Sequence, residues 1–249
     1  MDLNSDLGES FGPWRMGDDG ALLALVSSAN VACGFHAGDP LTMLATCRQA
    51  VLRGVRIGAH VSYRDLAGFG RRAMDMGFDE LHGDVLYQLS ALDGIARSVG
   101  AQVSYVKPHG ALYNRIVHDP EQAAAVCAAV RDFNRELPVL GLAGSEIAAE
   151  CLAHGVGFFS EAFVDRGYRA DGTLVPRGQP GDVLPDVPEV ARRALQMAVG
   201  GTVEAVDGSI VPLEVDSLCV HGDTPGAVQM AQAVRATLAQ AGVVVEPFC

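Results

Sequence analysis

The chain has 249 residues, 49% of them hydrophobic, with a formal charge of −12 and an isoelectric point near 4.9. That length and apolar share suffice for a sizeable core, and without a Pro/Ser-rich linker or low-complexity run the expectation is one domain spanning residues 1–249. The acidic balance excludes a sequence-independent grip on phosphodiester backbones or anionic lipid, so neither a nucleic-acid nor a membrane partner is expected.

Cysteines stand at positions 33, 47, 127, 151, 219 and 249 with no C-x-x-C pair, and four of them fall in apolar strand-like or helix-like patterns. They read as small, buried, reduced hydrophobes, which fits a cytoplasmic protein. Met1 runs directly into Asp2-Leu3-Asn4 without a basic-then-apolar leader. No apolar run reaches the roughly 18 residues of a membrane span, so a soluble protein is expected.

Residues 1–5 read as a strand that delivers Asp6 and Glu9, and 27–33 as a second strand closing on Gly34-Phe35-His36-Ala37-Gly38-Asp39-Pro40. Asp39 before Pro40 is a helix N-cap followed by proline at the first helical position, and Gly54 stops that helix. A third strand, 55–59, ends in His60. A polar loop through Gly68-Phe69-Gly70-Arg71-Arg72 then suggests a mobile, anion-friendly segment. A helix over about 79–99 and a strand over 103–106 lead to Lys107-Pro108-His109. Lys107 is the one lysine among 18 basic residues.

Asp119-Pro120 starts the next helix in the style of Asp39-Pro40. A fifth strand, 138–142, precedes a helix to His154 for which Ser145 is the candidate cap. A sixth, 157–163, ends in Glu161, Asp165 and Arg166. A Gly/Pro-punctuated excursion over 171–182 carries Arg177, and a helix over 188–199 stops at Gly200-Gly201. Asp207-Gly208 marks a hairpin within 202–214. The seventh main strand, 217–220, closes on His221-Gly222-Asp223, and a final helix ends at Gly242. Residues 243–245 would finish a sheet edge or close against the first strand. Seven strand-then-helix units with apolar strands predict a parallel sheet covered by helices, an α/β fold.

In such folds the strand ends share one face, and ligands bind there. That face would collect Asp6, Glu9, His36, Asp39, His60, Lys107, His109, Glu161, Asp165, Arg166, His221 and Asp223. His82, His118 and His154 fall elsewhere. Imidazoles take and return protons near neutrality, a neighbouring ammonium stabilises oxyanion charge, and carboxylates orient histidines or activate water. The same groups can hold a divalent ion, but no H-E-x-x-H motif is present and no metal ligand is assigned. No G-x-S-x-G elbow, dinucleotide fingerprint or G-x-x-x-x-G-K-S/T loop occurs, which excludes a P-loop ATPase.

Asp2-Leu3-Asn4-Ser5-Asp6-Leu7-Gly8-Glu9, Ala32-Cys33-Gly34-Phe35-His36-Ala37-Gly38-Asp39-Pro40, Ile57-Gly58-Ala59-His60, Gly68-Phe69-Gly70-Arg71-Arg72, Val106-Lys107-Pro108-His109-Gly110-Ala111-Leu112-Tyr113-Asn114 and Val220-His221-Gly222-Asp223 together resemble the LamB/YcsF family, the A-chain proteins of 5-oxoprolinase. Two departures stand out. Ser5 replaces the family's usual cysteine, and Val61-Ser62-Tyr63-Arg64-Asp65 replaces Pro-Ser-Tyr-Pro-Asp.

The resemblance implies a seven-stranded (β/α) barrel of the glycoside hydrolase and deacetylase kind. It also implies ATP-dependent opening of 5-oxo-L-proline to L-glutamate with partner subunits B and C. ATP with Mg2+ would be handled largely through those partners, with no tightly bound cofactor in this chain. Under this reading Asp6, Glu9, His36, His60, Lys107, His109, Asp165 and His221 are the catalytic candidates. Arg71, Arg72, Asn114, Glu161, Arg166 and Asp223 are the substrate-binding candidates. Lys107, with Arg166 or with Arg71 and Arg72, would hold the carboxylate or phosphate, and His60 or His109 would activate water. A metal-dependent deacetylase built on Asp6 and two histidines, a chain that binds substrate without catalysing, and self-association into a homo-oligomer stay open at this point.

Overall fold

The computed structural model describes residues 1–249. In chain order the elements are β1 (Asp2–Leu7), α1 (Asp19–Leu22), β2 (Ser28–Ala32), α2 (Pro40–Arg53), β3 (Arg56–His60), α3 (Phe78–Ser98), β4 (Tyr105–Val106), α4 (Gly110–Arg115) and α5 (Pro120–Asn134). There follow β5 (Val139–Leu142), α6 (Glu146–His154), β6 (Phe158–Phe163), α7 (Val187–Gly200), β7 (Thr202–Glu204), β8 (Ile210–Pro212), β9 (Ser217–Val220) and α8 (Ala227–Gln240). Seven strands, in the order β1-β2-β3-β4-β5-β6-β9, form a closed barrel. Every pairing in it is parallel, and β1 against β9, with Ser5 opposite Val220, completes the ring. The predicted seven-stranded (β/α) barrel is the observed architecture.

Aspartate with proline starts three of the helices, and glycine stops three. Asp39, Asp119 and Asp186 each cap a helix that has proline in its first turn. Gly54, Gly155 and Gly201 end α2, α6 and α7 at φ of 67°, 68° and 59°, a left-handed conformation that side-chain-bearing residues adopt at a cost. Asp39 accepts from the backbone N–H groups of Leu41, Thr42 and Gly12, which ties the loop after β1 to the start of α2. Asp39→Ala should lower stability by about 1–2 kcal/mol, the usual cost of a lost N-cap, as read by chemical denaturation.

Four expectations need correction. Residues 243–245 form no strand; the barrel closes through β9, and the tail lies against Met1, whose amino group donates to the Val244 carbonyl at 3.2 Å. The fourth strand is only Tyr105–Val106. Ser145 precedes α6 but makes no side-chain cap; its hydroxyl donates to the Leu142 carbonyl instead. The short helices α1 and α4 escape the sequence pattern, because each is too brief to show a helical period.

The barrel interior is the main surprise. Alternate strand residues face opposite sides, and on β1 the two sets differ in kind. Leu3 and Leu7 join the hydrophobic core, while Asp2, Asn4 and Asp6 meet polar partners. Asn30 on β2 donates to Asn4 at 2.7 Å and to Asp6 at 2.8 Å, and accepts from the Tyr105 hydroxyl at 2.6 Å. Leucine, valine and isoleucine usually fill small barrels. Here a hydrogen-bonded polar column rises from Asp2 and Ser217 toward the strand ends.

Candidate active site

The column ends at Lys107. Its ammonium is buried and lies 3.0 Å from Asp6 Oδ1, 3.1 Å from Glu161 Oε2, 3.2 Å from Asn4 Oδ1 and 3.1 Å from Cys219 Sγ. Burial disfavours this charge, but Asp6, Cys219 and Glu161 outweigh it and hold the pKa well above the ordinary lysine value. Burial likewise opposes ionisation of Asp6, yet His60 and Lys107 keep its carboxyl well below the usual carboxylate range. Glu161 is pushed up by burial, with Lys107 only partly offsetting it. Lys107 is thus a fixed positive charge between two acids, already engaged within the protein.

Above it sit three imidazoles and Glu9. His60 Nδ1 lies 2.9 Å from the Lys107 carbonyl, His109 Nε2 lies 2.9 Å from the Phe69 carbonyl, and His60 Nε2 and His109 Nδ1 face each other at 3.0 Å. His36 stacks on His109 with ring centroids 3.8 Å apart and planes 7° from parallel. Its Nε2 is 3.2 Å from Glu9 Oε1, while its buried Nδ1 has no hydrogen-bond partner. Burial and the neighbouring imidazoles push His36 and His109 well below the ordinary histidine pKa. Burial and the Asp6 charge push Glu9 well above the ordinary glutamate value.

Asp165, just past β6, accepts from His221 Nδ1 at 2.9 Å and from the His221 backbone N–H at 3.2 Å, so it fixes that ring as a carboxylate–imidazole dyad. The buried acid is opposed by desolvation, but His221 outweighs it and lowers its pKa. A depressed folded-state pKa contributes stability above the unfolded value and loses it as pH falls through the folded one. The wild-type chain should therefore lose stability more steeply below about pH 4 than Asp165→Asn does, in denaturation curves compared across pH.

A cavity of about 490 Å³ opens over these groups, with Asp6, His60, Lys107, His109 and His221 on its lining. Arg71, Arg115, Arg166, Arg169 and Arg177 line it as well, so its wall is positive although the whole chain is acidic. Asn114 also lines the cavity, with its amide donating to the Gly110 carbonyl of its own helix. The Arg166 guanidinium donates to the Asp182 and Val175 carbonyls and so braces the excursion after β6.

Not every candidate converges. Arg72, with its side chain 67% exposed, turns to Asp65 and does not line the cavity. Asp39 is occupied as a helix cap. Asp223 reaches the region only through its bond to Arg71 at 2.6 Å. His118, expected elsewhere, lines the cavity with Arg115 because the end of α4 and the turn after it lie at the mouth. The residues sequence reasoning missed are mostly uncharged: Asn4, Asn30, Tyr105 and Cys219 hold the charges in place. The alternation Asp2-x-Asn4-x-Asp6 was the available signal for two layers of that column.

The Gly68–Arg72 loop is tied down. The Phe69 carbonyl accepts from His109, and the Gly70 carbonyl accepts from the Ala111 N–H at 2.8 Å. Gly70 has φ of 64°, and a Cβ there would lie 2.7 Å from His109 Cδ2 and 2.9 Å from His36 Cβ. Glycine at 70 lets the backbone pack directly onto the histidine pair.

The chain matches the LamB/YcsF family over residues 1–249. It is 59% identical over 249 residues to the A subunit of 5-oxoprolinase from Mycobacterium avium (strain 104), covering 100% of this chain and 99% of that one. The corresponding A subunit from Acinetobacter baumannii (strain ACICU) is 55% identical over 248 residues, with 100% and 98% covered. The crystal structure of a lactam utilization protein from Thermus thermophilus superposes with a TM-score of 0.94 at 45% identity, covering 99% of this chain and 98% of that one. With a full-length family match, close full-length relatives and the same barrel, the chain belongs to the LamB/YcsF family.

Proposed function

We propose that this chain is the A component of a multi-subunit 5-oxoprolinase, which opens 5-oxo-L-proline to L-glutamate with ATP. The observation that carries the reading is the 59% identity, end to end, with the A subunit of a 5-oxoprolinase. A five-membered lactam resists water because its carbonyl is an amide. Transfer of the terminal phosphoryl group of ATP to the carbonyl oxygen makes a better electrophile. Water then adds at that carbon, the ring C–N bond breaks to free the amine and leave an acyl phosphate, and a second water hydrolyses that acyl phosphate to glutamate and inorganic phosphate.

The cavity offers surfaces suited to those steps. Arg71, Arg169 and Arg177 on its wall favour a carboxylate or phosphate. His60, His109 and the Asp165–His221 dyad supply groups that move protons. Lys107 with Asp6 sets a fixed electrostatic field at the floor. The chain has no P-loop, so partner subunits B and C would bind ATP with Mg2+. No helix is long and apolar enough to cross a membrane, which suits a cytoplasmic assembly.

Mixing this chain with candidate B and C subunits, 5-oxoproline and ATP, and following glutamate, tests the proposal. Glutamate release that needs all three chains and ATP is expected. Release at the same rate without this chain overturns it.

A further inference from the structure

We propose that Glu9, His36, His60 and His109 form a binding site for one zinc-type divalent transition-metal ion. This goes beyond the ring-opening reading and does not depend on it. One donor atom from each of the four residues lies within 4.8 Å of every other, and all four residues are buried. His60 Nε2 to His109 Nδ1 is 3.0 Å, His36 Nε2 to Glu9 Oε1 is 3.2 Å, and His109 Nδ1 to Glu9 Oε1 is 3.7 Å. A tetrahedral ion with bonds of about 2.0–2.2 Å requires donor–donor edges of about 3.3–3.6 Å, so the three separations bracket what such a site needs.

Hydrogen bonding gives an independent argument. A carbonyl oxygen only accepts, so His60 carries its hydrogen on Nδ1, facing Lys107 O, and His109 carries its hydrogen on Nε2, facing Phe69 O. The other nitrogen of each ring is then a bare lone pair, and those two lone pairs point at each other across 3.0 Å. Two acceptors that close repel unless a positive species sits between them. Backbone carbonyls that fix one nitrogen while the other is presented inward are the usual outer shell of ligating histidines.

The buried carboxylate of Glu9 has no lysine or arginine partner; its ion-pair contacts are His36 and His109. Asp6, the nearest other acid, holds Lys107 and Asn30 through Oδ1, and its Oδ2 lies 3.3 Å from His60 Nε2; it borders the site but is not one of the four donors that share it. Three imidazoles and one carboxylate suit zinc and its neighbours, whereas magnesium and calcium prefer all-oxygen shells. His60 and His109 line the cavity, so an ion has a route in and bound ligands can reach it.

The competing occupant is a proton shared between His60 and His109, and metal binding separates the two. The full-length chain, stripped by dialysis against chelator, is titrated with zinc chloride alone by calorimetry, desalted, and analysed for metal. Cobalt chloride gives a second readout, the visible spectrum of a four-coordinate nitrogen and oxygen site. One ion per chain is expected, with His109→Gln and Glu9→Gln each weakening binding by at least about a hundredfold, since even outer-shell losses reach that scale. His82→Gln, on the surface, should bind as the wild type does. Circular dichroism of each variant shows which are folded, and a folded one of the pair suffices. Absence of a stoichiometric ion in the wild type, or equal affinity in a folded site variant and the wild type, overturns the proposal.

Discussion

Lys107→Met should reduce glutamate release in the reconstituted complex by at least about a hundredfold, the scale of one lost transition-state contact, and destabilise the chain by about 3–5 kcal/mol. Both effects arise from the same geometry. The ammonium lies about equally close to Asp6 and Glu161, at 3.0 and 3.1 Å, in a site shut off from solvent. Removing it leaves two buried carboxyls facing each other without a cation. Glu161, already pushed up by burial, would protonate, whereas Asp6 loses the partner that helps keep it ionised. Lys107→Met combined with Asp6→Asn removes the uncompensated charge and should recover much of the stability without recovering turnover. The comparison isolates chemistry from folding, because the two residues touch and their effects are not additive.

His109→Ala should also lower turnover by at least about a hundredfold, the scale of a lost acid–base or electrostatic group. The ring stacks on His36, faces His60 across 3.0 Å and holds the Phe69 carbonyl. Truncation therefore also leaves the half-buried Phe69 carbonyl without its donor, at a cost of about 1 kcal/mol. His109→Gln keeps an N–H that can reach that carbonyl. It should regain stability while turnover stays low; full recovery of turnover would reduce His109 to a brace for the loop.

Much of this site was legible because a parallel barrel gathers its strand ends. Asp6, His60, Lys107, His109 and His221 sit at or just past the ends of four strands, and reading where each strand stops was enough to place them on one rim. The partners were not legible. Arg71 and Arg72 are neighbours in sequence, yet one turns to the cavity and Asp223 and the other to Asp65, a choice made by a loop whose backbone is pinned from α4. Arg115 and His118 reach the mouth from the end of α4 and the turn after it, and that helix is too short to announce itself by periodicity. Glu9 and His36 were placed on the rim, but their pairing joins the loop after β1 to the loop after β2 and has no local pattern.

The polar column shows the same limit from the other side. The apolar look of the strands predicted a parallel sheet covered by helices, and outward residues such as Leu3 and Leu7 do supply hydrocarbon packing. Inward, Asn4, Asn30 and Tyr105 replace it with hydrogen bonds that fix Lys107 and Asp6. A network of this kind is stable only when its members are satisfied together, which no single strand reveals.

The most direct test of the account compares glutamate release by complexes assembled with the wild-type chain and with the Lys107→Met, Asp6→Asn double variant, after denaturation has shown the two chains to be of similar stability. The account predicts that the variant complex assembles but releases glutamate at least about a hundredfold more slowly. Release at the wild-type rate would contradict it, because the chemistry would then take place away from this barrel's mouth.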